Sequence, residues 1–414
     1  MEALVFLDIR SKKTLVGAIR RIGSADSYAF SFDDGYRALS ALERPVLGQS
    51  FLDKNRNPVA PGKVTNTKLL PWFSNLLPEG KLRQVIASQH SFSTKRDFPL
   101  IVALGGDLPG AVVVESNGRR EDSFPDDSLP ETALSEDAWK FSLSGVYLKF
   151  SAVRETTGGL TVPAHGVGGS WIVKLPSEIY EAVPENEYDM MRFAEKVGLR
   201  IPEIDLVPMG RIRGLPVGID PDKSAFVIKR FDRLPDGGRL HIEDFAQVFG
   251  LYPEEKYGKI SYGNIAKVVY ALSGENGLKE FVSRLVISAA IGNGDMHAKN
   301  WSLLYPDGRT PELSPPYDFV STLNYVPGKE TMGLSIAGTN AFSDLSLDLL
   351  ARFAEKTGLP EDVILSAAKE TALRIPDAWS DMRSIASSPQ SVVKSIDTHM
   401  KTVPLLIRRV SLSV

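Results

Sequence analysis

The stretch Asn293-Gly-Asp-Met-His-Ala-Lys-Asn300, followed downstream by Pro316-Tyr-Asp-Phe319, decides the fold of this chain. Asp295 and Asn300 have the spacing D-x-x-x-x-N, and Asp318 follows Asn300 by eighteen positions. A carboxylate, an amide and a second carboxylate are groups that can hold a hydroxyl and a divalent cation together. The same spacing also arises by chance in turns with a capping Asp and Asn, so the rest of the chain must decide between the two interpretations.

Protein kinases use this spacing in their catalytic loop. In that loop one Asp positions the attacking hydroxyl, while the Asn and a later Asp-Phe pair hold Mg²⁺ against the phosphates of ATP. Asp295 would take the first role here, and Asn300 and Asp318 the second. A kinase also needs a lysine, a glutamate and a hinge ahead of this loop, and the chain offers a candidate for each.

The composition is that of an ordinary globular protein with two or three domains. The chain has 414 residues, of which 43% are hydrophobic and 24% charged. A net charge of -3 and a pI of about 6.1 argue against nucleic-acid binding by the chain as a whole. The absence of cysteine excludes disulfides, thiol catalysis and Cys-based zinc sites, and five scattered histidines argue against a His-based metal site.

No run of the sequence reaches the eighteen uninterrupted apolar residues expected of a membrane span. The first ten residues alternate like a strand and do not resemble a signal peptide. We therefore expect a cytoplasmic protein without a membrane partner.

Changes in composition divide the chain into four segments. Residues 1–115 read as strands and turns around one or two helices, and 116–138 form an acidic, Pro- and Ser-rich linker. Residues 139–235 contain short strands and Gly-rich turns, whereas 236–414 are mostly helical in pattern. This order predicts an α+β, two-lobed protein-kinase-like fold with an extra strand-rich N-terminal subdomain and a helical C-terminal lobe. The helical patterns of the last segment include residues 243–250, 263–272, 279–291 and 345–369.

Lys174 lies near the centre of the apolar strand Ser170-Trp-Ile-Val-Lys-Leu175. An ammonium in this position needs a partner, because an unpaired buried charge is costly, unless the strand is an edge strand with a solvated face. Glu187, at the start of a helix predicted over residues 186–199, is the candidate partner, although an acid in a first helical turn also favours the helix dipole. A strand lysine that grips phosphate oxygens and pairs with a helical glutamate is the kinase arrangement.

Two further segments occupy places that a kinase would use. Ser142-Leu-Ser-Gly-Val-Tyr-Leu-Lys149 precedes the lysine strand, where a loop would cover the phosphates, but its single glycine is equally compatible with a plain hairpin. Val227-Ile-Lys-Arg-Phe-Asp-Arg233 lies between the two halves, where a hinge would meet adenine, or it is an ordinary strand end. His297 could orient the catalytic loop or serve a structural role. The order of all these features favours a kinase.

Short motifs are spread over most of the chain. They are Asn75-Leu-Leu-Pro-Glu-Gly80, Phe141-Ser-Leu-Ser-Gly145, Ile172-Val-Lys-Leu-Pro176, Asn186-Glu-Tyr188, Lys229-Arg-Phe-Asp-Arg233, Gly294-Asp-Met-His-Ala-Lys-Asn-Trp-Ser302 and Pro316-Tyr-Asp-Phe319. With these motifs the chain resembles the HipA-type serine/threonine kinases, the toxin half of bacterial HipA–HipB toxin–antitoxin systems. The Asp-x-His-Ala-Lys-Asn block is specific to this family among kinases.

The resemblance implies an enzyme that uses ATP and Mg²⁺, and it assigns roles to individual residues. Asp295 would be the catalytic residue that accepts the proton of the substrate hydroxyl. Asn300 and Asp318 would bind Mg²⁺, and Lys174 the phosphates of ATP. The remaining ATP-contacting residues would be Ser144, Gly145, Val146, Tyr147, Leu148 and Lys149 over the phosphates, Lys229 and Phe231 at the adenine, and His297 and Tyr317 along the pocket.

The resemblance also implies self-inactivation. Ser142 matches the family's autophosphorylated serine, and Ser144 is a second candidate acceptor. A phosphate of about -1.5 to -2 charge in this loop would repel the triphosphate and displace the loop. The family's loop commonly continues Gly-Ala-Gln-x-Lys, whereas this chain has Gly145-Val-Tyr-Leu-Lys149, which keeps the lysine and replaces the Gln by an aromatic residue.

Partners follow from the resemblance in the same way. The family's known substrates are aminoacyl-tRNA synthetases, notably the glutamyl enzyme, whose phosphorylation halts translation and induces persistence. We expect such a protein substrate, together with a HipB-like helix-turn-helix antitoxin that brings the chain to operator DNA. Five Lys/Arg against one acid from Arg383 onward is compatible with a DNA-facing edge or with a solvated helix face.

Two other functions are compatible with the sequence. One is a kinase-like corepressor that acts with a DNA-binding antitoxin and has little catalysis, although Lys174, Asp295, Asn300 and Asp318 are all intact. The other is a small-molecule kinase, because phosphotransferases that act on sugars or antibiotics also use D-x-x-x-x-N and a metal-binding Asp.

Overall fold

The computed structural model describes residues 1–23, 26–90, 92–117, 149–154, 160–161, 169–177, 179–215, 220–325 and 331–407. The predicted phosphate-covering residues 144–148, the candidate acceptor Ser142 and most of the predicted linker lie outside the described residues. The backbone of Lys149 begins a strand.

The N-terminal part forms a five-stranded antiparallel sheet in the order β4-β3-β2-β1-β5. Alternation in the first strand explains its orientation, because Ala3, Val5 and Leu7 are fully buried while the residues between them are half-buried. The strands are β1 Glu2–Ile9, β2 Lys12–Arg21, β3 Ser27–Phe32, β4 Thr65–Asn66 and β5 Val112–Ser116. The helices are α1 Asp34–Ala38, α2 Pro71–Ser74, α3 Gly80–Gln89 and α4 Asp97–Ala103.

A second sheet of six strands follows, in the order β10-β7-β6-β8-β11-β9. Its strands are β6 Lys149–Arg154, β7 Leu160–Thr161, β8 Trp171–Lys174, β9 Ile204–Pro208, β10 Ile212–Arg213 and β11 Ser224–Lys229. The lysine strand β8 is paired on both sides, with β6 and with β11. The solvated edge-strand interpretation of Lys174 is therefore wrong.

Helix α5, Val183–Val197, connects this sheet to the rest of the molecule. It begins three residues earlier than predicted, because Pro184 is suited to a first helical turn and lacks only an N–H that such a turn does not use. Glu187 consequently lies beyond the first turn, where the helix-dipole explanation loses most of its force.

The C-terminal part contains a three-stranded sheet, a two-stranded sheet and most of the long helices. The strands are β12 His241–Asp244, β13 Ser302–Tyr305, β14 Glu312–Leu313, β15 Thr331–Ile336 and β16 Thr339–Ala341. The helices are α6 Phe245–Val248, α7 Tyr262–Ala290, α8 Leu347–Thr357, α9 Glu361–Ile385, α10 Gln390–Met400 and α11 Pro404–Ile407.

Three predictions for this part need comment. The single helix predicted over residues 345–369 is wrong, because α8 ends at Thr357, Gly358 is left-handed (φ 69°), and α9 begins at Glu361. The helix predicted from residue 243 is wrong at its start, because Glu243 pairs with Leu303 in the β12–β13 ladder and the helix begins at Phe245. The two helices predicted over 263–272 and 279–291 are both present within the range of α7, where they meet at Gly274, whose non-helical backbone angles (φ 61°, ψ -155°) glycine adopts without a Cβ clash.

Among the residues that the structure describes, three clusters of buried apolar side chains underlie the sheets and helices. One fills the N-terminal subdomain, a small one lies under the six-stranded sheet, and the largest fills the C-terminal part. Met190 and Phe193 of α5 belong to the largest cluster, where Phe193 packs edge-on against Trp379 of α9 at 5.6 Å. The helix that carries Glu187 is thereby held on the C-terminal core.

The structure confirms the α+β, kinase-like fold class, with strands concentrated in the first half and helices in the second. The domain boundaries at 115, 138 and 235 stay predictions. None of the helices in the described ranges combines the length and the apolar character needed to cross a membrane.

Candidate active site

A buried lysine bound by two carboxylates forms the centre of the site. Lys174, at the end of β8, donates to Glu187 Oε1 and to Asp318 Oδ1. Lys174 and Glu187 are only 5% and 4% exposed. Burial alone would lower the pKa of Lys174, but the charges of Asp318 and Glu187 outweigh it and raise this pKa above its ordinary value. The ammonium is therefore charged at physiological pH.

The loop that carries Asp318 has an unusual backbone. Asp318 has φ +57°, a left-handed conformation that is uncommon for residues other than glycine. Its carbonyl oxygen accepts a hydrogen bond from Asn293 Nδ2 at 3.3 Å. This bond ties the Asp318 loop to the start of the predicted catalytic loop, residues 293–300, which we call the catalytic loop. The surrounding contacts are thus what holds Asp318 beside Lys174.

Asn186 holds the same loop from the other side. This side chain is fully buried, and its Nδ2 donates to Ser321 O at 2.9 Å and to the Tyr325 hydroxyl at 3.0 Å. Ser321 N donates back to Asn186 Oδ1 at 3.1 Å. One short motif therefore does two things: Glu187 binds Lys174, and Asn186 fixes the segment after Asp318. Our sequence reasoning missed the role of Asn186, whose only signal was its presence in the family motif.

The catalytic loop is tightened around the backbone of Asp295. Its carbonyl oxygen accepts hydrogen bonds from His297 N at 2.8 Å and from Asn300 Nδ2 at 2.7 Å. The second bond uses the nitrogen of the Asn300 amide and leaves its oxygen, the type of atom that binds Mg²⁺, for a cation. Strand β15 passes close by, since a Cβ on Gly333 would lie about 3.0 Å from the Met296 backbone.

The carboxylate of Asp295 is half exposed, and Tyr257 is bound to it. The Tyr257 hydroxyl donates to Asp295 Oδ1, and its ring packs edge-on against His297 with 4.9 Å between centroids. His297 Nε2 lies 3.9 Å from Asp295 Oδ1, which is too long for a hydrogen bond. Burial lowers the pKa of His297 to about 4, so the ring is neutral and acts on the loop by packing. The sequence did not suggest Tyr257.

Tyr317 and Phe231, predicted to line the pocket and flank adenine, lie together with 5.9 Å between ring centroids. The Tyr317 hydroxyl donates to Lys299 O at 2.9 Å and lies 2.5 Å from Ser302 Oγ, which links the Asp318 loop to the catalytic loop. Lys229 N donates to the backbone oxygen of Glu203 at 2.8 Å, and Lys229 Nζ binds the carboxylate of the same residue at 3.0 Å. The backbone N–H of Lys229 is therefore not available to adenine.

The rest of this hinge motif joins the N-terminal subdomain. Arg230 and Arg233 each bind Asp107 at 3.0 Å and Asp232 at 2.8 to 2.9 Å, in a buried network of four charges. Gly110 N donates to Asp232 Oδ2 at 2.8 Å. Because Asp107 and Gly110 belong to the N-terminal subdomain, the predicted hinge segment is attached to that subdomain.

Glu79 brings the N-terminal subdomain to the catalytic loop itself. Its two carboxylate oxygens accept from Lys299 Nζ at 2.6 Å and from Lys256 Nζ at 3.0 Å. Partial burial would raise the pKa of Glu79, but the charges of Lys299 and Lys256 outweigh it and lower this pKa. An ionised Glu79 therefore holds a lysine of the catalytic loop, a contact that the sequence alone did not indicate.

A fully buried glutamate makes a further connection between the same parts. Glu243 accepts hydrogen bonds from Gln49 N at 2.9 Å, from Trp72 Nε1 at 3.0 Å and from the Tyr305 hydroxyl. Burial raises the pKa of Glu243 to about 7. Gln49 and Trp72 come from the N-terminal subdomain, whereas Glu243 and Tyr305 belong to the C-terminal sheet.

The donor set suits Mg²⁺ carried by a nucleotide. The described ranges contain no group of three or more His, Cys, Asp or Glu side chains arranged for a metal ion. Mg²⁺ usually takes one or two protein carboxylates and completes its shell with substrate phosphates and water. Asp318 and the amide oxygen of Asn300 fit that pattern, and Lys174, which is bound to Asp318, supplies positive charge for the phosphates.

Comparison with known proteins gives a consistent result. The family model of the HipA N-terminal domain matches residues 7–115, and that of the HipA-like C-terminal domain matches residues 141–379. The chain is 42% identical to the putative kinase Y4dM of Sinorhizobium fredii over 408 residues, which cover 98% of each chain. It is 25% identical to the serine/threonine-protein kinase toxin HipA of Shewanella oneidensis over 385 residues, covering 82% and 83% of the two chains.

The solved complex of HipA, HipB and operator DNA from Shewanella oneidensis MR-1 contains a chain with the same fold. Its TM-score is 0.72 at 20% sequence identity, and the match covers 97% of this chain and 96% of that one. The matching family models and the relative that is 42% identical lead to one conclusion: this chain belongs to the HipA family of kinases.

Proposed function

We propose that this protein is an ATP- and Mg²⁺-dependent serine/threonine protein kinase and the toxin of a toxin–antitoxin pair. The observation that carries the proposal is the Lys174 ammonium between Glu187 and Asp318, next to a loop that presents Asp295 and Asn300. Phosphoryl transfer needs little covalent help from the protein; it needs charge and positioning, and this arrangement supplies both.

Each charged group has a part in the proposed reaction. An ammonium has three N–H donors, so Lys174 keeps one for a phosphate oxygen while it stays bound to both carboxylates. Asp318 and Asn300 would hold Mg²⁺, which neutralises charge on the phosphates. Asp295 accepts the proton of the attacking serine or threonine hydroxyl as the bond from that oxygen to the γ-phosphorus forms and ADP leaves.

The substrate and partners in this proposal come from the family. We infer that the substrate is a translation protein, an aminoacyl-tRNA synthetase, and that the chain phosphorylates itself on Ser142. A relative named as a serine/threonine-protein kinase toxin supports the toxin role. A solved complex of a related fold with HipB and operator DNA supports a HipB-like antitoxin, through which the cytoplasmic chain would reach DNA.

Incubating dephosphorylated protein with Mg-ATP, followed by intact mass and peptide mapping, tests the proposal. We expect one phosphate on Ser142 and phosphoserine on added synthetases. Asp295→Asn should lower both rates by roughly 10²- to 10⁴-fold, because a positioned proton acceptor contributes about that much. Asp348→Asn, at an exposed position of α8, is the matched control and should keep the parent rate.

Two results would reject the proposal. No phosphate on any protein, combined with binding of the antitoxin, would identify a kinase-like corepressor. Phosphate transferred only to a small hydroxyl compound would identify a small-molecule kinase.

A further inference from the structure

Residues 251–260, which we call the acceptor segment, contact the catalytic loop at the carboxylate of Asp295. Its backbone is bound to the loop, because Ala298 N donates to Lys256 O at 3.2 Å. Its next residue, Tyr257, donates its hydroxyl to Asp295 Oδ1 and packs its ring against His297. The segment thus contacts the loop through a backbone hydrogen bond, a side-chain hydrogen bond and a ring contact.

The N-terminal subdomain holds the acceptor segment from the opposite side. Asn75 Nδ2 donates to Leu251 O at 2.7 Å, and Glu79 binds Lys256 at 3.0 Å. The same Glu79 carboxylate binds Lys299 of the catalytic loop at 2.6 Å. Lys68 and Glu254 form another ion pair, but both are exposed, so this pair contributes little. Contacts with both the catalytic loop and the N-terminal subdomain therefore hold the segment in place.

A fixed support matters because the side chain of Asp295 is partly exposed and has few contacts to hold it. Its side chain is 48% exposed, so the carboxylate would otherwise rotate freely about its last bond. The bond from Tyr257 occupies Oδ1, which leaves Oδ2 for the hydroxyl of a substrate. Burial and the charge of Asp295 raise the pKa of Tyr257 above its ordinary value, so the phenol keeps the proton that it donates.

We propose that Tyr257 is a positioning residue for phosphoryl transfer. Its hydroxyl holds the Asp295 carboxylate so that Oδ2 faces the acceptor hydroxyl, and the N-terminal subdomain supports it through Glu79 and Lys256. The N-terminal subdomain is then part of the acceptor site. This inference rests on the proposed kinase function.

The test is Tyr257→Phe, which removes the hydroxyl and keeps the ring on His297. We expect kcat for phosphoryl transfer to fall by about 10- to 100-fold, the size of effect that small misplacements of a reacting group produce. KM for ATP should stay within about twofold, because the ATP-contacting residues are unchanged. Tyr270→Phe, at a half-buried position in α7, is the matched control for loss of a phenol and should match the parent.

Repeating the substitution in a second variant distinguishes a positioning role of Tyr257 from a purely structural one. In Asp295→Asn, which retains only residual activity, adding Tyr257→Phe should have almost no further effect on kcat, because the two residues act as a unit. A structural role would lower kcat equally in both backgrounds and would lower the melting temperature of each.

Each other outcome overturns a specific statement. A Tyr257→Phe variant with the parent kcat, or with an equal loss in both backgrounds, rejects the positioning role and leaves the proposed function standing. A higher kcat/KM for the protein substrate would show that Tyr257 competes with it, and phosphate on Tyr257 would show that it is an acceptor; both reject positioning. A parent without any phosphoryl transfer rejects the proposed function and this inference together.

Discussion

Glu243→Gln should change how the stability of this protein depends on pH. Burial raises the pKa of Glu243 from an ordinary value of 4.5 to about 7. The folded protein therefore keeps this proton up to about pH 7, whereas the unfolded chain loses it near pH 4.5. Between these values the unfolded state binds fewer protons, so the contribution of Glu243 to stability is full below pH 4.5 and falls as pH rises.

The size of the effect follows from the shift. A pKa difference of about 2.5 units, at about 1.36 kcal/mol per unit, corresponds to about 3 kcal/mol lost between pH 4.5 and pH 7. Burial also lowers the pKa of His241 to about 4, which opposes this trend between pH 4 and pH 6.5. Because His241 is present in both proteins, its contribution cancels in the difference between parent and variant.

The assay is equilibrium urea unfolding of both proteins across pH 4.5 to 8, with the free energy of unfolding compared at each pH. The parent should lose about 3 kcal/mol relative to Glu243→Gln over the interval, and the difference should level off above pH 7. The exposed Glu275→Gln variant is the control for loss of a carboxylate. A difference that changes by less than about 1 kcal/mol would show that Glu243 titrates normally and would refute the reasoning from its burial.

Two further substitutions test contacts that position the site. Glu79→Gln removes the charge that holds Lys256 and Lys299, so we expect kcat to fall by roughly tenfold with the melting temperature nearly unchanged. Glu115→Gln, which breaks an exposed pair with Lys13, is the control. A kcat of Glu79→Gln within about twofold of the parent would contradict the expectation. Asn186→Ala leaves the backbone N–H and C=O of Ser321 without their buried partner. Urea unfolding should therefore show a loss of about 2–4 kcal/mol in the free energy of unfolding, and half-maximal kinase activity should require a higher Mg²⁺ concentration. Unchanged values for both would contradict the proposed support of the Asp318 loop.

The fold class was predictable because its signals are local. Strand alternation at the start of the chain, the lysine in the apolar stretch Ser170–Leu175 and each of the motifs appear within short windows of sequence. The wrong prediction at Glu243 also came from a local signal. Glu243 was assigned to a helix because its neighbours have a helical pattern, yet pairing with Leu303, which is sixty positions away, makes it a strand residue.

The candidate site was predictable in part. The residue types and spacing of Asp295, Asn300 and Asp318 suggested their chemistry, and the roles assigned to them stay predictions. The sequence did not suggest Tyr257, and the only signal for Glu79 was its place in the motif Asn75-Leu-Leu-Pro-Glu-Gly80. No spacing rule connects Glu79 to Lys299, which follows it by 220 positions.

By itself, the sequence determined the chemistry that the chain can offer: a lysine on an apolar strand, an acid on a helix, and an amide and two acids on loops at kinase spacing. Only the tertiary structure decided which of these groups meet and what supports them. Lys174 meets Asp318 across 144 positions, and the N-terminal subdomain reaches the catalytic loop through Glu79. The physical reason is that periodicity and spacing depend on neighbouring residues, whereas contacts across the chain depend on how buried surfaces pack.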